Sequence, residues 1–213
     1  MKISIKNISI YLSLFLIISA ETMSQTSYIL NPENSKMTIL GTSTLHDWQM
    51  EVKDIDCSMA LITERENIRG IQDTWFSCIT TSIVSDYNIM DKKTYEALNA
   101  KEFSNITFRM INGKITSMTG NEFSGTATGS LSVAGQTREI KVPFRGNLKE
   151  NGQMKVEGKV DLKMSEFKID PPTAMLGTLR TGDEISIVYF LELEKSMINK
   201  QISEVKARSS IGD

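Results

Sequence analysis

From Tyr28 onward, apolar and polar residues alternate at a period of two, the spacing of strands that bury one face. In residues 131–144, Leu131 and Val133 alternate with Ser130 and Ser132, and Ile140, Val142 and Phe144 alternate with Glu139, Lys141 and Arg145. Between them Ala134, Gly135, Gln136 and Thr137 supply a turn in which Gly135 can take positive φ, so the stretch predicts a β-hairpin. Further on, Val156, Gly158, Val160, Leu162 and Met164 share one face of a strand whose other face carries Lys155, Glu157, Lys159, Asp161 and Lys163. The charged face must be the solvated one. Ile185, Ile187, Tyr189, Leu191 and Leu193 repeat this parity in the last strand, while Val188 and Phe190 make its second face partly apolar and predict a cover over it.

Helical spacing stands out once, in residues 90–102 (MDKKTYEALNAKE), where Met90, Thr94, Ala97, Leu98 and Lys101 fall on one face and Asp91 is placed to help the helix start. Residues 113–125 are rich in Gly, Ser, Thr and Asn and read as a turn region. The polar tail, residues 195–213, is expected to fray. About eight strands and one helix predict an all-β domain over residues 25–194, a closed up-and-down antiparallel β-barrel with the helix as plug or lid. An open sandwich is the structural alternative. A barrel of about eight strands either fills its interior with side chains or keeps room for one small ligand, and alternation alone does not decide between them.

The N-terminus departs from this pattern. Lys2 and Lys6 precede a 12-residue apolar run, residues 8–19 (ISIYLSLFLIIS), followed by small and polar residues, the layout of a secretory signal peptide over residues 1–24. The run is short for a bilayer span, which disfavours the alternative of an uncleaved anchor, and no later stretch is long enough to cross. Cleavage is expected near Ser24 or Gln25. The first cysteine is Cys57, so no lipid-anchored form is indicated. The destination is periplasmic or secreted, without stable membrane insertion after cleavage.

Removing residues 1–24 takes Lys2, Lys6 and Glu21 from the 24 basic and 26 acidic residues, leaving 22 and 25 and a formal charge of −3. Such a balance, with the two signs interspersed, argues against nucleic acid as a partner. In an oxidising compartment the two cysteines, Cys57 and Cys78, can form a disulfide. A hairpin centred on Asn67 and Ile68 would set them directly opposite each other, at an α-carbon separation of about 4.5–5.5 Å that such a bond accepts. Two buried free thiols are the alternative.

Catalytic, metal and cofactor chemistry find little support. His46 is the only histidine, and Asp47 beside it falls on the opposite face of a strand, so no triad follows. It also has too few partners for a metal, and a packing or hydrogen-bonding place near a strand end is the reading preferred. Trp48 reads as core before it reads as a ligand platform. No Gly-rich phosphate loop or dinucleotide fingerprint is present, and no cofactor is expected. Methionine is frequent, at 12, and Met37, Met50, Met59, Met90, Met110, Met154, Met164 and Met175 either line an adaptable cavity or fill gaps in an ordinary core.

Together, three segments and one short motif resemble the YceI family, the polyisoprenoid-binding, lipocalin-like group, over about residues 28–193. GSLSVAGQTREIKVPF, residues 129–144, is similar to the family's G-x-L-T-I-x-G-x-T-R/K hairpin, with Ser132 in place of the usual threonine. MDKKTYEALNAKEFSNITF, residues 90–108, resembles its short helix and following strand, with Ser104 where proline is usual. LKMSEFKIDPPTAMLGTLRTGDEISI, residues 162–187, resembles the segment that closes the barrel, and residues 43–48 match the S-T-L-H-D-W of one branch.

The resemblance implies an antiparallel eight-stranded lipocalin-like β-barrel whose elongated interior, partly covered by the helix, takes an isoprenoid or similar lipid chain. With each buried methylene contributing about 0.8 kcal/mol, a long chain needs no charged contact to bind. Strand parity and position give Ile39, Trp48, Met50, Phe76, Phe103, Phe108, Phe144, Met164, Phe167 and Met175 as candidate lining residues. The leading expectation is an exported, non-enzymatic protein that binds a hydrophobic lipid-like ligand, with pairing into a homodimer left open. The alternative is a ligand-free interaction module, which exposed Trp75, Phe76 or Tyr87 would favour. An enzyme would need an acid or His46 facing the cavity with a perturbed pKa.

Overall fold

The alternating segments form strands, and the strands join edge to edge into a ring. The computed structural model describes residues 23–64, 67–174 and 177–196. Of the expected signal peptide, residues 1–24, all but Met23 and Ser24 lie outside them, as does the tail from residue 197; those two residues open a strand, paired with Glu64 and Thr63. The elements in chain order are β1 (Met23–Ser43), β2 (Trp48–Val52), β3 (Ile55–Glu64), β4 (Asn67–Ile79), β5 (Ile83–Val84), α1 (Asn88–Ala97), β6 (Asn105–Thr119), β7 (Glu122–Val133), β8 (Gln136–Leu148), β9 (Met154–Lys163), β10 (Thr173–Ala174) and β11 (Leu179–Lys195).

Eight of these strands make the barrel, in the cyclic order β1-β3-β4-β6-β7-β8-β9-β11, and antiparallel pairing of β11 with β1 closes it. β1 is long enough to serve twice on one edge: its first half pairs with β3 and its second half with β2, while β11 runs along the other edge. The hairpin read at residues 131–144 is present. Val133 pairs with Gln136 across a two-residue turn, Ala134 and Gly135, whose positive φ values of 47° and 74° match the turn to the right-handed twist of the two strands.

Other expectations are corrected by the ladder. The stretch 113–125 is no loop, because β6 and β7 run through it and turn only at Gly120 and Asn121. Its small polar residues form the outer face of a strand pair, and glycines there make room for large neighbours: a Cβ on Gly113 would fall 2.3 Å from the Ile71 side chain. The second face of β11 is only partly covered. Val188 and Phe190 stay 39 % and 37 % exposed, with the Lys155 ammonium 5.2 Å from the centre of the Phe190 ring. Asp91 does not cap α1. It lies four residues inside, buried, and accepts hydrogen bonds from the Ser85 N–H and hydroxyl at 2.7 Å each, which ties the approach loop to the helix.

The expected disulfide is absent, and Cys57 and Cys78 are free. Residue Glu64 pairs with Asn67, so the hairpin turns two residues earlier than symmetry about residues 67 and 68 implies. Two register shifts recover only half of that offset, leaving Cys57 opposite Phe76 and Cys78 opposite Ile55. The thiols are diagonal neighbours, at α-carbon separations of about 7–8 Å where a bridge needs less.

The two ends of the barrel differ. One is filled by the largest fully buried side chains, among them Tyr28, Leu61, Met154 and Leu193, with Phe123 set edge-on against Phe144. Beside this end, β1 bulges by four residues, 32–35, opposite Leu191 of β11. The bulge folds over Glu192, whose carboxylate takes the Lys149 ammonium at 3.2 Å and the Asn34 amide at 3.1 Å. The Lys149 hydrogen bond foremost holds the Glu192 carboxyl below its ordinary 4.5, so its stabilisation is present above that pH and is lost as pH falls through the lowered folded value. Glu192→Gln is expected to flatten part of the fall in melting temperature between roughly pH 5 and pH 3, read from thermal melts across that range. An unchanged acid limb would remove Glu192 from the account.

Candidate ligand-binding cavity

The other end of the barrel is hollow. A cavity of about 510 Å³ runs inward from the mouth, within the ~300–1,000 Å³ usual for small-molecule sites. Its walls are the inward residues of the strands, and α1 lies across its mouth with Met90, Lys93, Thr94, Ala97 and Leu98, spaced by three and four, on the cavity side.

Of the residues expected from parity, Ile39, Trp48, Met50, Phe76, Phe108, Phe144, Met164 and Phe167 line this cavity. Phe103 does not. It follows the helix at the rim, and its ring lies over the β7–β8 turn, where a Cβ on Gly135 would fall 2.5 Å from it. Met175 lies outside the described residues. Among the other methionines singled out, Met37, Met59 and Met90 also line the cavity, whereas Met154 is completely buried in the filled end. Ala127, Leu131 and Tyr189 also line it; the sequence places Leu131 and Tyr189 on apolar strand faces, but neither they nor Ala127 stood among the candidate lining residues.

Both cysteines face the cavity. Burial pushes each thiol up to about 12, aided by the charge of Asp56 at Cys57 and that of Asp54 at Cys78. At neutral pH they therefore stay protonated and present an apolar wall. Burial likewise raises the Tyr189 hydroxyl, which donates to the Pro143 carbonyl at 2.7 Å. Among the described residues no group of three or more His, Cys, Asp or Glu is placed to hold a metal ion.

The motif at residues 43–48 builds one side of the mouth. Ser43 Oγ accepts the N–H groups of Leu45 and His46 and donates to the His46 carbonyl, which folds the loop between β1 and β2. The Trp48 indole N–H donates to the Thr42 carbonyl at 2.9 Å, and its ring covers Gly41 so closely that a Cβ there would fall 2.1 Å away. His46 lines the mouth and gives its Nδ1 proton to the Asp47 carbonyl at 2.7 Å, the hydrogen-bonding role expected of it. On β11, the strand next to this loop, Asp183 accepts the Ser165 N–H at 2.7 Å and hydroxyl at 2.6 Å, fixing the turn Met164–Phe167 that carries Phe167.

That turn replaces strand pairing. The β8–β9 ladder runs only from Arg145 with Glu157 to Leu148 with Met154, and toward the mouth the two strands part. Phe167, 3 % exposed, is held in the turn beside this seam, and Arg138 Nε–H donates to the Glu166 carbonyl at 2.9 Å to tether it. Leu45, Tyr87 and Ile89, 72 %, 67 % and 73 % exposed, stand around the mouth as the most exposed large apolar side chains of the described residues.

A closed eight-stranded antiparallel ring, filled at one end and hollow beneath a helix at the other, defines a lipocalin-like barrel with a single-ended apolar cavity. The YceI-like domain model matches residues 28–193, and the chain belongs to that family. Among solved structures it is similar to BcnA of Burkholderia cenocepacia, at 16 % identity and a TM-score of 0.60, over 76 % of this chain and 98 % of that one. It is also similar to a polyisoprenoid binding domain from Saccharophagus degradans, at 10 % identity and a TM-score of 0.62, over 80 % and 99 % of the two chains. No protein with a curated description matches.

Proposed function

We propose that this is an exported binding protein that holds an isoprenoid, an isoprenoid quinone or a similar lipid chain inside the barrel, for transport, storage or sensing. The observation that carries the reading is the one-ended cavity, whose wall is almost wholly aliphatic, aromatic and thioether. A chain entering it exchanges water for apolar contact along its length, at about 0.8 kcal/mol per methylene. Family membership and the likeness to a polyisoprenoid binding domain support the same reading. Export rests on the basic start and apolar run of residues 2–19.

Native mass spectrometry of the protein purified gently from its own host, followed by organic extraction, tests it. One lipid of defined mass per chain is the expected result. An apo mass, with no uptake of added quinones or polyprenols, overturns the reading. That second outcome would favour a ligand-free interaction module, which the exposed Leu45, Tyr87 and Ile89 around the mouth support.

A further inference from the structure

The stripe that α1 turns toward the cavity contains one residue out of keeping with it. Met90, Thr94, Ala97 and Leu98 suit an apolar wall, and Lys93 does not. Its neighbour Lys92 points outward and is exposed, where a lysine is fully hydrated. Lys93 is half-buried on the cavity side, and among the described residues its ammonium has neither an ion pair nor a hydrogen bond. No Asp or Glu occurs among the described residues that line the cavity. The other lysine of the lining, Lys163, is already paired with Glu184 at 3.5 Å and by strand parity runs along the outer face.

A lysine ammonium beside an apolar wall that carries no carboxylate is available to an anion for a charge-assisted hydrogen bond. The described lining supplies no such anion, which leaves the place open to one carried by the ligand. On the chain-binding reading given above, we propose that the ligand is an amphiphile with an acidic head, a phosphate or a carboxylate. Its charge pairs with Lys93 at the mouth while its chain occupies the barrel. The lysine then fixes polarity as well as affinity: the chain enters tail first, and the head stops at α1. The contrasting role for Lys93 is purely structural, with its stem covering apolar surface and its ammonium reaching water. That role makes no distinction between acidic and neutral heads.

The test is titration calorimetry with two matched pairs, geranylgeranyl phosphate against geranylgeraniol and palmitate against hexadecanol, on the wild-type protein and on Lys93→Ala, Lys93→Gln and Lys93→Arg. In the wild type, at least one acid binds tighter than its alcohol by roughly 10-fold, and the pair that shows it identifies the head as phosphate or carboxylate. In Lys93→Ala and Lys93→Gln the ratio of acid to alcohol affinity falls to about one, and Lys93→Arg keeps the preference. Equal affinity for acid and alcohol in the wild type overturns the acidic-head proposal and leaves the chain-binding reading standing. So does a preference that survives in the alanine and glutamine variants. Failure of all four probes to bind overturns both.

Discussion

Ala127→Trp is expected to abolish high-affinity binding of a long apolar chain while leaving the barrel folded. Ala127 lies on β7 between Gly113 of β6 and Val142 of β8, and its methyl group faces the cavity. An indole at this position projects into empty space and takes volume that a ligand would use. If it displaces about three methylenes, the loss is roughly 2.4 kcal/mol, or about 50-fold in affinity. The fold should hold, because the ring is added on the cavity side of the wall. Titration with geranylgeraniol and a thermal melt of the same variant check the two halves. Wild-type affinity in a folded Ala127→Trp protein would mean that the chain is held somewhere other than the barrel.

The largest effect on stability is expected from Gly129→Val. β6 carries an extra residue, Ile111, between its pairings of Met110 with Gly129 and Asn112 with Thr128. This bulge lies beside the glycine, where a Cβ would fall 2.4 Å from the Arg109 carbonyl oxygen and 2.6 Å from the Phe108 ring. The carbonyl belongs to a neighbouring strand of a closed ring, which has no free edge along which to retreat. A cost of about 3 kcal/mol or more follows, a fall of roughly 6–12 °C in melting temperature for a domain of this size. Gly70→Ala serves as the control, because a Cβ there meets nothing within 4 Å, and it should change stability by no more than about 0.5 kcal/mol. If the two variants melt together, close backbone approach is not what requires glycine at position 129.

Alternation made the barrel and most of its wall legible, since parity depends only on neighbouring residues. Ile39, Met50, Phe108 and Phe144 were readable for that reason. Bulges were not. Each adds a residue with no mark in the sequence; in the β3–β4 pair the turn comes two residues earlier than expected and two bulges make up only half of that offset, so Cys57 faces Phe76 and not Cys78. Composition misled at residues 113–125, where Gly113 and Gly125 make room for large side chains of adjacent strands and the small polar residues stand on the outer face. Phe103 fell outside the cavity because it lies between elements, where no periodicity tells which way a ring turns. Lys93 was not singled out either: its neighbour is also a lysine, and only the docked helix separates one that faces water from one that faces the cavity.

The parted strands β8 and β9 bear on what girth of ligand the barrel can accept. In a fully laddered barrel the circumference is set by strand number and shear, and stretching it means breaking rungs. Here four rungs hold the seam at the filled end, and toward the mouth the join consists of the Phe167 turn, the Arg138 tether and the Tyr189 hydroxyl on Pro143. The hoop is therefore split like a collet, rigid at its base and adjustable at its lip. On the binding function proposed, a thicker guest is expected to need only a shift of side chains along one generatrix of the cylinder, with every backbone rung left intact.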